Sequence, residues 1–162
     1  MKKSSRTIIL AGLLLFLGLF NWTVYQKEKL MGNGRTIFLE LAPVDPRSLI
    51  QGDYMRLAYA LERSGMGDSV SRHGLGALAL DGRGVARSIR PLGDLDRLGP
   101  AEVAIQYSQR PWGGIQFGAE SYFFQEGEAE KYGKAKYGGI KVDGKGNSLL
   151  IGLFDENLQK IE

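Results

Sequence analysis

The stretch "PVDPRSLIQGDYMRLAYAL", residues 43–61, holds a turn and a strand in one run. Asp45 before Pro46 is an N-cap followed by proline at the first helical position, where the missing N–H costs nothing. "PRSLI" then makes one turn of helix or 3₁₀, and Gly52 closes it in a left-handed conformation. After Gly52 the pattern changes period. Met55, Leu57, Tyr59 and Leu61 alternate with Arg56, Ala58, Ala60 and Glu62, which predicts a strand with one buried face and Glu62 on the other.

The same alternation recurs at Ile37, Leu39 and Leu41, and at Val103, Ile105 and Tyr107. Ile115, Phe117 and Ala119 repeat it, with Tyr122 to Phe124 extending that run. The chain has 23 glycines in 162 residues, about twice the usual fraction, spread between short apolar segments. Many tight turns between many short strands predict a mainly β domain, barrel- or sandwich-like. Gly65 to Gly76, "GMGDSVSRHGLG", is the most loop-like stretch.

Two segments predict hairpins of one design. "ALALDGRGVARSI" and "GIKVDGKGNSLLI" each place Asp-Gly-basic-Gly between β-type runs, at 81–84 and 143–146. Glycine supplies the positive φ that short hairpin loops need. The spaced oxygens and closing Glu of an EF-hand are missing, so these turns predict no calcium site. One short helix is expected in the C-terminal half, "EGEAEKYGKAKY" from Glu126 to Tyr137. Its acidic residues come first and its lysines last, the order that complements the helix dipole, and Glu130 can reach Lys134.

The amino-terminal part has a different character. "TIILAGLLLFLGLFNWTVY", Thr7 to Tyr25, contains no charged residue; as a helix it rises about 28 Å, close to the thickness of a bilayer's hydrocarbon core. Trp22 and Tyr25 stand where interfacial aromatics belong. No Ala-x-Ala-like cleavage site ends the run, and with no cysteine there is no lipoprotein anchor, so the segment reads as an uncleaved single-pass transmembrane helix. Lys2, Lys3 and Arg6 before the span, set against Lys27 and Lys29 after it, favour a short basic tail inside and the domain outside. The expected organisation is a cytoplasmic tail (1–6), an anchor (7–25), a linker (26–34) and a non-cytoplasmic domain (35–162) at the cell membrane.

Three of the 21 basic residues precede the span and none of the 18 acidic ones do, which leaves 18 of each in the remainder. A domain balanced in this way lacks the clustered excess of Lys and Arg that nucleic acid requires.

Chemistry is sparse. One histidine, His73 in the glycine-rich loop, and no cysteine give no metal-ligand set, and no cofactor is implied. No Gly-x-Ser-x-Gly or Ser-Lys arrangement is present. Asp53 and Glu120 are the one pair of carboxylates that could share a hydrolytic site, if their strands are neighbours. Trp112, beside Arg110, reads as a cap on the end of the domain or as a stacking platform. Asp53 accepts from loop amides or pairs with Arg47, or else lines a pocket with Arg47, Tyr54, Trp112 and Glu120.

"GDYMRLAY", Gly52 to Tyr59, fits the signature of the GDYXXLXY proteins at Gly52, Asp53, Tyr54, Leu57 and Tyr59. "GAESYFFQEGEAEKY", Gly118 to Tyr132, resembles that family's second block, an aromatic strand entering a charged helix. The resemblance implies one amino-terminal membrane anchor, a small non-cytoplasmic domain and a polytopic membrane protein encoded nearby. It implies no catalytic residue.

The expected function is therefore an accessory or interaction subunit, non-enzymatic, held at the bilayer beside a polytopic membrane protein. The alternatives are a membrane-tethered envelope hydrolase using Asp53 and Glu120, and a ligand-sensing module whose pocket uses Tyr54, Tyr59 and Trp112.

Overall fold

A computed structural model describes residues 3–42, 54–63, 71–93, 98–110, 114–125 and 127–162. The expected turn at 45–52 lies outside them.

Helix α1 spans Lys3–Asn33. Thr7–Asn33 is long and apolar enough to cross a bilayer, with mean hydropathy 2.0 in its apolar stretch, and nothing in that stretch is buried in the domain. Large side chains point outward all round it, Ile8, Leu14, Phe16 and Phe20 among them. A helix apolar on every side needs an apolar solvent or partner. Its two polar residues satisfy themselves locally: Asn21 Nδ2 donates to the Leu17 carbonyl at 2.8 Å, and Thr23 Oγ1 to that of Leu19 at 3.0 Å. Such back-bonding to the preceding turn is how polar groups persist in an apolar helix.

The segment expected as a linker, 26–34, is not one. The helix continues through it to Asn33, and strand β1 (Arg35–Glu40) starts after Gly34 alone. Leu30 is buried against the domain, the Gly34 amide donates to the Leu30 carbonyl at 2.8 Å, and Lys141 Nζ donates to the Gly34 carbonyl at 3.0 Å. Apolar burial and a cation at the helix C-terminus join α1 to the domain.

Among the described residues eight further strands follow: β2 (Tyr54–Arg56), β3 (His73–Leu80), β4 (Ala86–Leu92), β5 (Glu102–Gln109), β6 (Ile115–Gln116), β7 (Ser121–Phe123), β8 (Tyr137–Val142) and β9 (Ser148–Phe154). They form antiparallel sheets in the orders β4-β3-β5-β6, β1-β8-β9 and β2-β7. Backbone bonds join the first two sheets on both sides. Phe38 N donates to the Gly84 carbonyl at 3.0 Å, and Gln106 N to that of Gly146 at 2.8 Å. The result is a β-rich domain curled like part of a barrel around one core. Ile37, Leu39, Leu78, Ile105, Ile140 and Leu153 are fully enclosed there.

Both Asp-Gly-basic-Gly segments are hairpin turns, β3–β4 and β8–β9. Asp81 Oδ1 accepts from the amides of Arg83 (2.8 Å) and Val85 (3.0 Å). Asp143 Oδ1 accepts from those of Lys145 and Asn147, each at 2.9 Å. Gly84 and Gly146 both have φ near +80°. The aspartate fixes the turn and the glycine permits it.

Several strands are shorter than their alternation predicts. The ladder from Tyr54 ends at Arg56, and a 3₁₀ turn, η1 (Ala60–Arg63), begins just after Tyr59. The Ile115–Phe124 run breaks into β6 and β7 because Gly118 turns the chain at φ +75°. In both segments the apolar alternates stay buried, so the period reports the inward face and not the ladder. The charged helix is only α2, Ala129–Tyr132. The Ala135 amide returns to the Tyr132 carbonyl, and Lys136 then bonds Phe154 and Leu41, drawing the chain into β8. Glu128 pairs with Lys131 at 3.2 Å there.

His73 begins β3 rather than sitting in a loop. Gly74 and Gly76 serve packing there: a Cβ at Gly74 would stand 2.8 Å from the Tyr107 hydroxyl, and one at Gly76 2.8 Å from Ile89 Cδ1.

Candidate functional site

The two sequence blocks singled out above are partners in space. Tyr54 pairs with Phe123, Met55 with Tyr122 and Arg56 with Ser121. The same register carries on past the ladder, since Leu57 N donates to the Glu120 carbonyl at 2.7 Å. Tyr59 then donates its hydroxyl to the Ala119 carbonyl at 2.5 Å. Tyr59 is 0% exposed, with its ring 6.0 Å from that of Phe117. It crosses β8 at Gly138, where a Cβ would come within 2.9 Å of the ring. Leu57 is buried beside it. These two signature residues are core.

Around Tyr59 stand the two buried charged residues among those described, Glu62 and Glu120. Glu120 accepts from the amides of Phe117 and Gly118, the latter at 3.1 Å, and so caps the turn between β6 and β7. Glu62 accepts from the Tyr59 amide at 3.2 Å, and its other oxygen lies 3.8 Å from Arg110 Nη1. With the Gln116 amide turned so that its oxygen faces the guanidinium, Arg110 also donates to Gln116 from Nε (3.1 Å) and Nη2 (2.9 Å).

Burial raises the pKa of Glu62 above the ordinary value, and the Glu120 charge adds to the rise. The Tyr59 amide and the charges of Arg110 and Arg56 oppose it. Burial, then the charges of Glu120 and Glu62, push the Tyr59 phenol far up, so it stays a neutral donor. The arrangement is a satisfied polar knot inside the fold: each carboxylate holds a backbone turn, and the phenol joins the two blocks.

Glu62 belongs to this knot although the alternation put it on the outer face. The 3₁₀ turn from Ala60 changes the period and rotates Glu62 inward. A Glu three residues after Tyr59, placed to accept from its amide, was the available signal.

Asp53, Arg47 and Trp112 lie outside the described residues, as do Gly52 and the Tyr54 side chain. Glu120 also borders a shallow depression of about 440 Å³, lined in part by Tyr122, Phe123, Leu149 and Leu150. Among the described residues no group of three His, Asp or Glu is placed to hold a metal ion. His73 is exposed at its strand end.

Two larger grooves flank the end of α1. One, of about 810 Å³, runs between Lys27, the β3 and β5 ends and the β8–β9 turn. The other, of about 740 Å³, is lined by Trp22, Tyr25 and Lys29 on one side and by β5 and the same turn on the other.

No curated protein and no solved structure gave a significant match to this chain. The model of the family described as "GDYXXLXY protein" matches residues 16–153, most of the chain. The paired blocks at its centre are that family's signature and its partner strand, and this chain belongs to the GDYXXLXY protein family.

Proposed function

We propose that this protein is a membrane-anchored accessory subunit whose β domain lies on the non-cytoplasmic side and assembles with a polytopic membrane protein. The observation that carries this reading is the helix: Thr7–Asn33 is long and apolar enough to cross a bilayer and is joined to the domain through Leu30 and Gly34 without a flexible spacer. A rigid junction of this kind presents the domain at a fixed height and orientation above the bilayer, which suits a subunit that docks on a neighbour's loops. The burial of Leu57 and Tyr59 further supports a scaffolding role for the signature.

The test is affinity purification of the full-length tagged chain in mild detergent, followed by mass spectrometry. Stoichiometric recovery of a polytopic membrane protein is the expected result. Recovery of the chain alone contradicts the subunit reading and moves attention to Asp53, Glu120 and Trp112 as a hydrolytic or sensing site.

A further inference from the structure

The groove between Lys27 and the β8–β9 turn has a one-sided charge. Lys27 and Lys145 line it, with Tyr107, Gln116 and Asn147 as polar neighbours, and no carboxylate lines it among the described residues. Asp143, in the same turn as Lys145, spends its oxygens on that turn, on the amides of Lys145 and Asn147 and on Asn147 Nδ2. Neither lysine is in an ion pair among the described residues. Lys145 also lines the second groove, together with Lys29 and Arg35. There Glu102 is held by Arg90 at 2.6 Å.

The height of this cluster is the second observation. Lys27 follows Tyr25 by two residues and Trp22 by five, so it lies about 3 Å and 8 Å farther along the helix axis. The Trp22 and Tyr25 rings sit together, centroids 6.3 Å apart, and both line the second groove. Paired Trp and Tyr at the end of an apolar helix mark the headgroup level of a bilayer. The turn that carries Lys145 is folded down beside them.

We infer that the first groove binds the phosphate headgroup of an anionic phospholipid, with Lys27 and Lys145 as its cations. This rests on α1 being a membrane anchor. A lipid phosphate is the anion supplied at that height, and the groove's volume admits the glycerol phosphate as well as the phosphate itself. The bound headgroup ties the β8–β9 turn to the bilayer surface and fixes the tilt of the domain.

The experiment uses the full-length chain in nanodiscs of phosphatidylcholine and phosphatidylglycerol in equal parts, re-extracted into detergent for native mass spectrometry. The wild type is expected to retain phosphatidylglycerol over phosphatidylcholine. Lys27→Gln with Lys145→Gln should lower that retention by about fivefold for each lysine removed. Lys134→Gln with Lys160→Gln, the same charge change away from the groove, should leave it unchanged. Equal retention of the two lipids, or a groove variant that behaves as wild type, overturns the proposal, as does complete displacement of the lipid by millimolar inorganic phosphate, which marks a free-phosphate site. Alkaline carbonate extraction of the parent membranes separates the premises. Release of the wild type overturns the anchor and this site together; retention without lipid preference overturns the site alone.

Discussion

The Tyr59 hydroxyl donates to the Ala119 carbonyl at 2.5 Å across sixty residues of chain. With Leu57 N on the Glu120 carbonyl, it extends the pairing of β2 and β7 beyond the two strands themselves. The motif that names the family therefore acts, at Leu57 and Tyr59, as a clasp between the first and second sequence blocks.

Tyr59→Phe removes this hydroxyl and leaves a buried carbonyl without a donor. Such a loss costs about 1 to 3 kcal/mol. Denaturant unfolding of the detergent-solubilised full-length chain should show that decrease at nearly unchanged m-value. An unchanged midpoint would mean that the clasp contributes nothing to stability.

Gly84 and Gly146 occupy the same left-handed position in sister turns, yet their surroundings differ. A Cβ at Gly84 meets nothing nearer than 3.9 Å, whereas one at Gly146 falls 2.9 Å from Leu75 Cδ2 and 3.0 Å from the Gln106 amide nitrogen. Gly84→Ala should cost about 1 to 2 kcal/mol of backbone strain alone. Gly146→Ala carries the same strain and also parts the turn from β5. It should be clearly the more destabilising of the two in thermal melts, and equal losses would contradict the junction seen there.

Glu62 gives the pH dependence a definite sign. Burial raises its pKa in the folded chain, so its contribution to stability is fully present below the ordinary value of 4.5 and is lost as pH rises through the raised value. Glu62→Gln keeps an acceptor for the Tyr59 amide and removes the charge. The variant should gain on wild type as pH rises toward neutral and lose that gain as pH falls to 4.5. Melting temperatures measured across that window check the sign, and a gain that grows toward acid would contradict it.

Glu102 provides the opposite sign at an exposed pair. Its hydrogen bonds to Arg90 and then to the Gly99 amide hold its pKa down to about 2. The stability this adds is present above 4.5 and is lost as pH falls toward 2. Glu102→Gln should flatten the acid limb of the stability profile over that interval and leave the neutral limb unchanged, and an acid limb as steep as in wild type would contradict the pairing.

The mainly β fold was legible because period-two burial and Asp-Gly turns are local signals. Ile37, Leu39, Val103 and Ile105 point inward as their alternation predicts, and Asp81 and Asp143 hold their turns with their own carboxylates. The ends of strands were less legible. Whether a ladder continues past Arg56 or breaks at Gly118 depends on which backbone a distant segment presents, and the alternation of side chains does not record that. Glu62 was misplaced for the same reason, since a single 3₁₀ turn breaks the alternation and buries Glu62 as well as Leu61. The continuous α1 was hidden by charge: Lys27, Glu28 and Lys29 read as a spacer, while the deciding contact is Leu30 against the domain.

A subunit that docks on the outer loops of a neighbour must carry its domain on the non-cytoplasmic side. The chain has no cysteine, so a single one introduced at Glu156, an exposed position in the last turn, can be labelled without background. Cells with the membrane that holds the protein intact and its outer face accessible would be treated with a membrane-impermeant maleimide before and after permeabilisation. The account predicts full labelling of Glu156→Cys before permeabilisation, whereas labelling only afterwards would place the domain in the cytoplasm and contradict it.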